Sequence, residues 1–425
     1  MKIAVVGMGH VGMPLASVLA LSSGTERVFC VDIDTKTTLE RFRALETLQD
    51  EPGLLDNVKR AAGMGKLKVA DFSCCSDVNA VLICVPTPVD ITHSPDYSAL
   101  ASAVTRVAKH IVDGILVVVE STIAPGTMES LVVPILEEYS GLKDGISLYV
   151  AHCPERISPS RALHSLTNNP RVIGCTTEAA REFVYDVYSN LGTQLYFTDA
   201  KTAEVTKTAE NAYRDVQLAF TNELADICQQ HGVDAWEVRK CVNTCPGRNV
   251  LWPGIGVGGH CIPKDPWLLM HGIEHMPLVT AARRTNGYAT ERAAKFIESL
   301  YPNMTPWGTL EVLMLGVAYK ANVGDVRNSP SLALGTRLQV ESSRHGSVNV
   351  RYHDPYVPGY QRKSLEDHFT GANIAILAVP HKEYYACGLH QYASLMDTTG
   401  GILVNCCKHD ISWPRGYYRL YDKRG

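Results

Sequence analysis

The sequence has no apolar run approaching the roughly 18 residues a membrane-spanning helix needs. It has no basic excess: 40 Lys and Arg stand against 44 Asp and Glu, a net charge of −4. That balance argues against a general nucleic-acid or membrane-surface binder, yet leaves room for a local basic pocket around one anionic small molecule. There is no low-complexity tract and no exact internal repeat. Residues 1–6 are too short for the apolar core of a secretory signal and run straight into glycines. The cysteines number thirteen, an odd count, and the close pairs at 74/75, 241/245 and 406/407 lack the second half that a metal site requires. A reduced, cytoplasmic setting is expected, with most thiols acting as small buried hydrophobes and no metal bound.

What is present is a chain of 425 residues, 45% hydrophobic and 20% charged, enough for several cores. Short β-branched runs at 2–6, 27–31, 80–85 and 115–119 alternate with helical patterns at 11–21 and 96–110. Unbroken apolar runs suit strands buried on both faces of a parallel sheet. Strands at 172–175 and 195–197 flank a helix at 178–190. From 201 to 231 there is neither Gly nor Pro, and Val205, Ala209, Ala212, Val216, Ala219, Phe220, Leu224 and Ile227 recur at three-to-four spacing. This predicts a long amphipathic helix stopped by Gly232, bridging domains or forming a dimer seam. Residues 245–266 read as loop, and 278–300 as helix. A second αβ series follows: strands at 310–315, 348–352, 374–379 and 402–405, with a helix at 331–344. The expected fold is α/β: two Rossmann-like doubly wound domains joined by a long central helix, divided at 1–200, 201–304 and 305–425.

Gly7-Met8-Gly9-His10-Val11-Gly12 follows a strand and opens a helix. Gly7 permits the tight turn, Gly9 a close approach of backbone to a pyrophosphate, and Gly12 tight helix–strand packing. The amides at the helix start, His10 and Val11 among them, then face the phosphates. Asp32, twenty residues after Gly12 at the end of the second strand, can accept hydrogen bonds from a ribose diol and would repel a 2′-phosphate, so NAD is favoured over NADP. Asp34 is the second choice for that contact.

The other informative stretch is Gly254–Pro266, where four glycines precede Cys261. Such a loop presents its thiol, which becomes a nucleophile when positive charge or donors favour the thiolate. A structural cysteine is the competing reading. Asp265 could hold a water or relay a proton. Lys207 and Asn211, four apart on one helix face, could together steady a developing alkoxide, or simply be solvated. Glu120 and Glu155 each follow a strand end, where α/β ligands bind; either could be a general base or an ion-pair partner.

In combination the chain resembles the UDP-glucose/GDP-mannose dehydrogenase family along nearly its whole length. The matching pieces are GMGHVGMPLA at 7–16, VPTP at 85–88, ESTIAPGT at 120–127, CPERISP at 153–159, KTAENAYRDV at 207–216, GGHCIPKDPW at 258–267, GVAYKANVGDVRNSPS at 316–331 and HDPYV at 353–357. The resemblance implies a four-electron oxidation of a nucleotide-sugar C6 alcohol to the carboxylate, with two NAD per sugar. Cys261 would hold the aldehyde as a thiohemiacetal and then a thioester. Lys207 and Asn211 would steady the oxyanions, Asp265 would organise a water, and Glu155 with Thr122 would assist proton removal or hydrolysis. Thr87 and Arg327 would meet the cofactor. Arg156, Gly258 and Lys320 would meet the UDP-sugar, and Arg248 would reach it, from its own subunit or across a subunit boundary. His260 before the cysteine and DPW after it resemble the UDP-N-acetylhexosamine branch, N-acetylmannosamine or N-acetylglucosamine. His260 and Trp252 would then line the sugar end, with ordinary packing the alternative for Trp252. A UDP-glucose enzyme, and a two-electron hydroxyacid dehydrogenase needing no cysteine, are the competing functions. A homodimer or higher homo-oligomer is expected.

Overall fold

The structure is a computed structural model. It describes all residues except 34–35, 37–39, 41–50, 301–308, 341–346, 397–400, 415 and 422–425. Asp34 and the end of the helix expected at 331–344 lie outside the described residues. The chain forms two compact units, Met1–Glu210 with Trp267–Glu274, and Asn211–Pro266 with His275–Gly425.

The first unit is built on β1 (Lys2–Val6), β2 (Arg27–Val31), β3 (Leu67–Val69), β4 (Ala80–Ile83), β5 (Ile115–Val119), β6 (Leu148–His152), β7 (Arg171–Cys175) and β8 (Leu195–Asp199). They form one sheet in the order β3-β2-β1-β4-β5-β6-β7-β8. The first six strands run parallel in the doubly wound order, whose switch point is a binding crevice. β7 and β8, both expected from the sequence, pair in parallel, and β7 joins β6 antiparallel, a reversal the strand spacing did not reveal. Alternate residues of one strand feed two separate cores: Ile3 and Val5 enter one, Ala4 and Val6 the other. Both faces are therefore covered, which is why these strands read as unbroken apolar runs. The covering helices are α1 (Gly12–Leu21), α2 (Leu54–Gly63), α3 (Ser98–Ala108), α4 (Val133–Ser140), α5 (Ala162–Asn168) and α6 (Ala180–Tyr188).

The second unit carries β9 (Leu310–Leu315), β10 (Val348–His353), β11 (Ile374–Leu377), β12 (Ile402–Asn405) and β13 (Tyr417–Arg419). All pair in parallel, in the order β10-β9-β11-β12-β13. Its helices include α8 (Ala235–Val242), α10 (Pro277–Glu298), α11 (Pro330–Val340), α12 (Leu365–Phe369) and α13 (Lys382–Ala386).

Helix α7 (Ala200–Gln230) runs continuously from the first unit into the second. It buries Ala203, Ala212, Ala219 and Ala225 together with Glu204, Lys207, Asp215 and Asn222, whereas Val205, Tyr213, Phe220 and Ile227 are exposed. The periodicity in the sequence thus mixed buried positions, Ala212 and Ala219, with an outward apolar stripe that includes Val205, Phe220 and Ile227.

Helix α9 (Cys261–Met270) begins inside the stretch expected to be loop. Pro263 is tolerated because first-turn amides need no intrahelical partner. Pro266 removes the amide that would bond the Ile262 carbonyl, and Arg283 donates to that oxygen instead, at 3.3 Å. The two prolines that read as breakers are accommodated by helix geometry and one arginine.

Candidate active site

In the first unit, the glycine turn shows three different demands. Gly7 has φ +95, and a Cβ there would meet the Cys84 carbonyl oxygen at 2.6 Å. A Cβ on Gly12 would come 1.8 Å from the Gly7 oxygen. Gly9 faces open space. Two of the glycines thus serve packing, and the middle one leaves a clear approach to the backbone. No side chain caps α1 among the described residues, so its opening amides suit an anion. Asp32 ends β2 and accepts from the Met8 amide at 2.6 Å, which fixes the carboxylate beside the turn. A 2′-phosphate there would meet like charge. These residues fit NAD.

The loops after β4 and β5 are tied together at the carboxyl ends of the strands. The Thr87 hydroxyl donates to the Thr122 carbonyl at 2.6 Å, and Ser121 to the Val85 carbonyl at 2.6 Å. Glu204 on α7 accepts from the Gly126 and Met128 amides at 2.5 and 2.7 Å, holding the ESTIAPGT loop. Of the two acids weighed from sequence, Glu120 is fully buried in an ion pair with Arg171 at 3.1 Å and accepts from Tyr188 at 2.5 Å. Burial pushes its carboxyl up against the pull of Arg171. This is a supporting strut. Glu155 instead stands 3.5 Å from the buried Lys207 ammonium and accepts from the Ile157 amide at 2.6 Å. Arg156 pairs with Glu210 and donates to the Pro170 carbonyl at 2.9 Å.

In the second unit, Cys261 is exposed at the first residue of α9. The opening turn of a helix favours an anionic sulfur. Cys153, by contrast, is buried and its thiol is pushed up to about 12. The hinge before Cys261 is sterically set. Gly259 has φ +85, and a Cβ there would meet the Tyr319 ring at 2.8 Å. A Cβ on Gly258 would meet the Asn328 carbonyl at 2.6 Å. The Gly259 amide donates to the Arg327 carbonyl at 2.9 Å, and Asn328 donates to the Gly259 carbonyl at 2.9 Å. The Arg327 guanidinium pairs with Asp325 at 2.6 Å. One turn after Cys261, buried Asp265 lies 2.9 Å from the Lys264 ammonium and accepts from the Asn211 side chain. Burial, with Lys264 and Arg327 nearby, pushes the His260 imidazole down. Arg248 and Lys320 are exposed. Trp252 packs 5.3 Å from Trp236 with Arg239 over its face at 3.4 Å, the packing alternative.

The structure therefore groups Lys207 with Glu155, Thr87 with Thr122, and Asn211 with Asp265, whereas Arg156 and Arg327 already engage local carboxylates. Arg171, Tyr188, Glu204 and Tyr319 were not singled out from the sequence.

A glycine turn at a helix start with an acid ending the next strand, beside loops gathered at strand ends, fits an NAD-dependent dehydrogenase. Three family models match: the UDP-glucose/GDP-mannose dehydrogenase family NAD binding domain over residues 1–192, its central domain over 201–288 and its UDP binding domain over 313–408. The chain is 39% identical over 389 residues to a UDP-N-acetyl-D-mannosamine dehydrogenase of Pyrococcus horikoshii, covering 90% of each. It is 33% identical over 428 residues to an NDP-N-acetyl-D-galactosaminuronic acid dehydrogenase of Ralstonia solanacearum, covering 94% of this chain and 95% of that one. A solved structure of UDP-D-ManNAc dehydrogenase from Pyrococcus horikoshii superposes with TM-score 0.89 at 34% identity, covering 99% of each chain. The chain belongs to the UDP-glucose/GDP-mannose dehydrogenase family and is an NAD-dependent nucleotide-sugar dehydrogenase. No helix among the described residues is long and apolar enough to cross a membrane.

Proposed function

We propose that this enzyme oxidises the C6 alcohol of a UDP-N-acetylhexosamine, N-acetylmannosamine first, to the carboxylate through covalent intermediates on Cys261. The observation that carries the covalent step is an exposed thiol at the start of α9, on a glycine hinge, with Asp265 one turn later. The choice of sugar rests on similarity to the Pyrococcus enzyme named for that substrate.

Bound NAD supplies the hydride acceptor, one molecule for each oxidation. In the first step Glu155 takes up the C6 hydroxyl proton as a hydride leaves that carbon, giving the aldehyde. The Cys261 thiolate adds to the carbonyl carbon, and Lys207 with Asn211 holds the oxyanion of the thiohemiacetal. Loss of a second hydride from the same carbon of that oxyanion leaves a thioester. Asp265 then orients a water that attacks it; the C–S bond breaks and sulfur departs as thiolate. The alcohol carbon has lost four electrons and one water has been consumed. The sulfur is needed because it retains the aldehyde between the two oxidations.

The exposed stripe of Val205, Tyr213, Phe220 and Ile227 on α7 supports a homodimer. A chain that elutes at its own mass by light scattering would contradict that assembly. The need for NAD and for a reduced nucleophile fits the cytoplasm, and recovery of the enzyme outside it would count against that setting.

The test of the substrate is a count of NADH released per molecule of UDP-ManNAc, UDP-GlcNAc, UDP-glucose, UDP-galactose and GDP-mannose. Two per UDP-ManNAc, at the highest kcat/KM, is expected. One per molecule would favour a two-electron dehydrogenase; a preference for UDP-glucose would reassign the sugar.

A further inference from the structure

In the second unit, the loop over residues 316–329 follows β9 and seats the hinge of Cys261. The Arg327 carbonyl accepts from the Gly259 amide at 2.9 Å, Asn328 donates to the Gly259 carbonyl at 2.9 Å, and the Tyr319 ring takes the space that a Cβ on Gly259 would need. The same loop meets a fully buried pair, Asp354 after β10 and His381 after β11, the strands on either side of β9. The Asn322 amide donates to His381 Nδ1 at 3.0 Å. An amide N–H can only donate, so Nδ1 is the bare nitrogen. Nε2 therefore carries the imidazole proton and donates to Asp354 Oδ2 at 3.0 Å. That oxygen also accepts from the Val317 and Ala318 amides at 2.7 and 3.0 Å, and Asp354 Oδ1 accepts from the Tyr356 amide at 2.8 Å. Asn322 has φ +61, and its side-chain oxygen accepts from the Lys382 amide at 3.0 Å.

We infer that His381 is a positioning residue for Cys261: it fastens the loop on which the thiol's glycine hinge rests. A hinge rich in glycine has little stiffness of its own, so the direction of the thiol depends on its seat. The rigid imidazole accepts on one side and donates on the other. It thereby joins the middle of the loop, at Asn322, to the carboxylate that holds the start of the loop, at Val317 and Ala318. The end of the loop then grips Gly259 from both its amide and its carbonyl. Each link is a hydrogen bond between groups of fixed geometry, so a slip at Asn322 is passed to the residue two before the nucleophile. A misplacement of about 1 Å at a reacting atom can cost about 10²-fold in rate.

The test uses the full-length enzyme with two variants that each keep half of the imidazole's bonding. His381→Asn keeps an acceptor at the place of Nδ1; His381→Gln keeps a donor at the place of Nε2 and loses the acceptor for Asn322. Hydrogen exchange at the Gly259 amide should quicken about tenfold or more in the Gln variant and stay within about threefold of the parent in the Asn variant, with the β9 amides of Leu313 and Leu315 unchanged in both. A merely structural histidine would loosen β9 together with the hinge. Asn322→Gly, at an exposed position whose φ suits glycine, removes only the Lys382 contact and should quicken Gly259 about threefold, even where the Gln variant does not fold. With UDP-ManNAc, kcat should fall about tenfold in the Gln variant and largely survive in the Asn variant. This kinetic arm rests on the oxidation proposed above; the exchange arm does not. A wild type that oxidises no nucleotide sugar would sink the proposed function and leave exchange to decide this one. Parental protection of Gly259 in His381→Gln and Asn322→Gly, or full turnover in His381→Gln, would overturn the inference.

Discussion

The side-chain amide of Asn211 on α7 donates to the carboxylate of Asp265 on α9. Asp265 is fully buried and also meets the Lys264 ammonium at 2.9 Å. A carboxylate fixed from two sides is preorganised to orient a water, and it sits one turn from the thiol. Asp265→Asn keeps the shape and removes the charge. The expected result is a rapid release of two NADH per active site, followed by steady turnover slowed by about 10²-fold as thioester accumulates. Stopped-flow absorbance reads both phases. An unchanged steady rate would remove Asp265 from hydrolysis.

The glycine turn separates packing from binding. Gly12→Ala puts a methyl 1.8 Å from the Gly7 oxygen and should destabilise the first unit by about 1–3 kcal/mol or more. Gly9→Ala meets nothing in the protein, so melting should be unchanged while NAD affinity falls by about tenfold or more. Calorimetry of melting and of NAD binding distinguishes the two. A Gly9→Ala enzyme with parental NAD affinity would mean that the cofactor approaches elsewhere.

Burial pushes His152 down to about 4, with the nearby Lys207 charge adding to the effect. The unfolded chain takes up a proton near the free value of about 6.5, whereas the folded chain refuses it. Stability present above that value is therefore lost as pH falls from about 6.5 towards 4, by up to about 1.4 kcal/mol per unit. Between pH 7 and 5, the loss should be about 2 kcal/mol smaller in His152→Gln than in the parent. Urea midpoints at the two pH values check this. Equal losses in both proteins would show that the imidazole titrates normally.

The sheet was legible because residues such as Ile3–Val6 feed cores on both sides, leaving an unbroken apolar run. The cofactor turn was legible because its steric demands admit only glycine at Gly7 and Gly12. The thiol could be read as presented, but the helix it starts could not, since Pro263 and Pro266 look like breakers until the Arg283 contact is known. Nothing in the chain pattern links Glu120 to Arg171 and Tyr188, partners 51 and 68 residues away that depend on the antiparallel turn into β7. For the same reason the sequence alone could not choose between Glu120 and Glu155. The outward stripe of α7 was hidden because spacing alone counts buried Ala212 and Ala219 and exposed Val205, Phe220 and Ile227 alike as apolar.

The most direct test is to mix enzyme, NAD and UDP-ManNAc, quench in acid within one turnover, and map the adduct by peptide mass spectrometry. A sugar acyl group is expected on the peptide containing Cys261, enriched in Asp265→Asn and absent in Cys261→Ser. Two NADH released per sugar with no label on that peptide, and turnover surviving in Cys261→Ser, would contradict it.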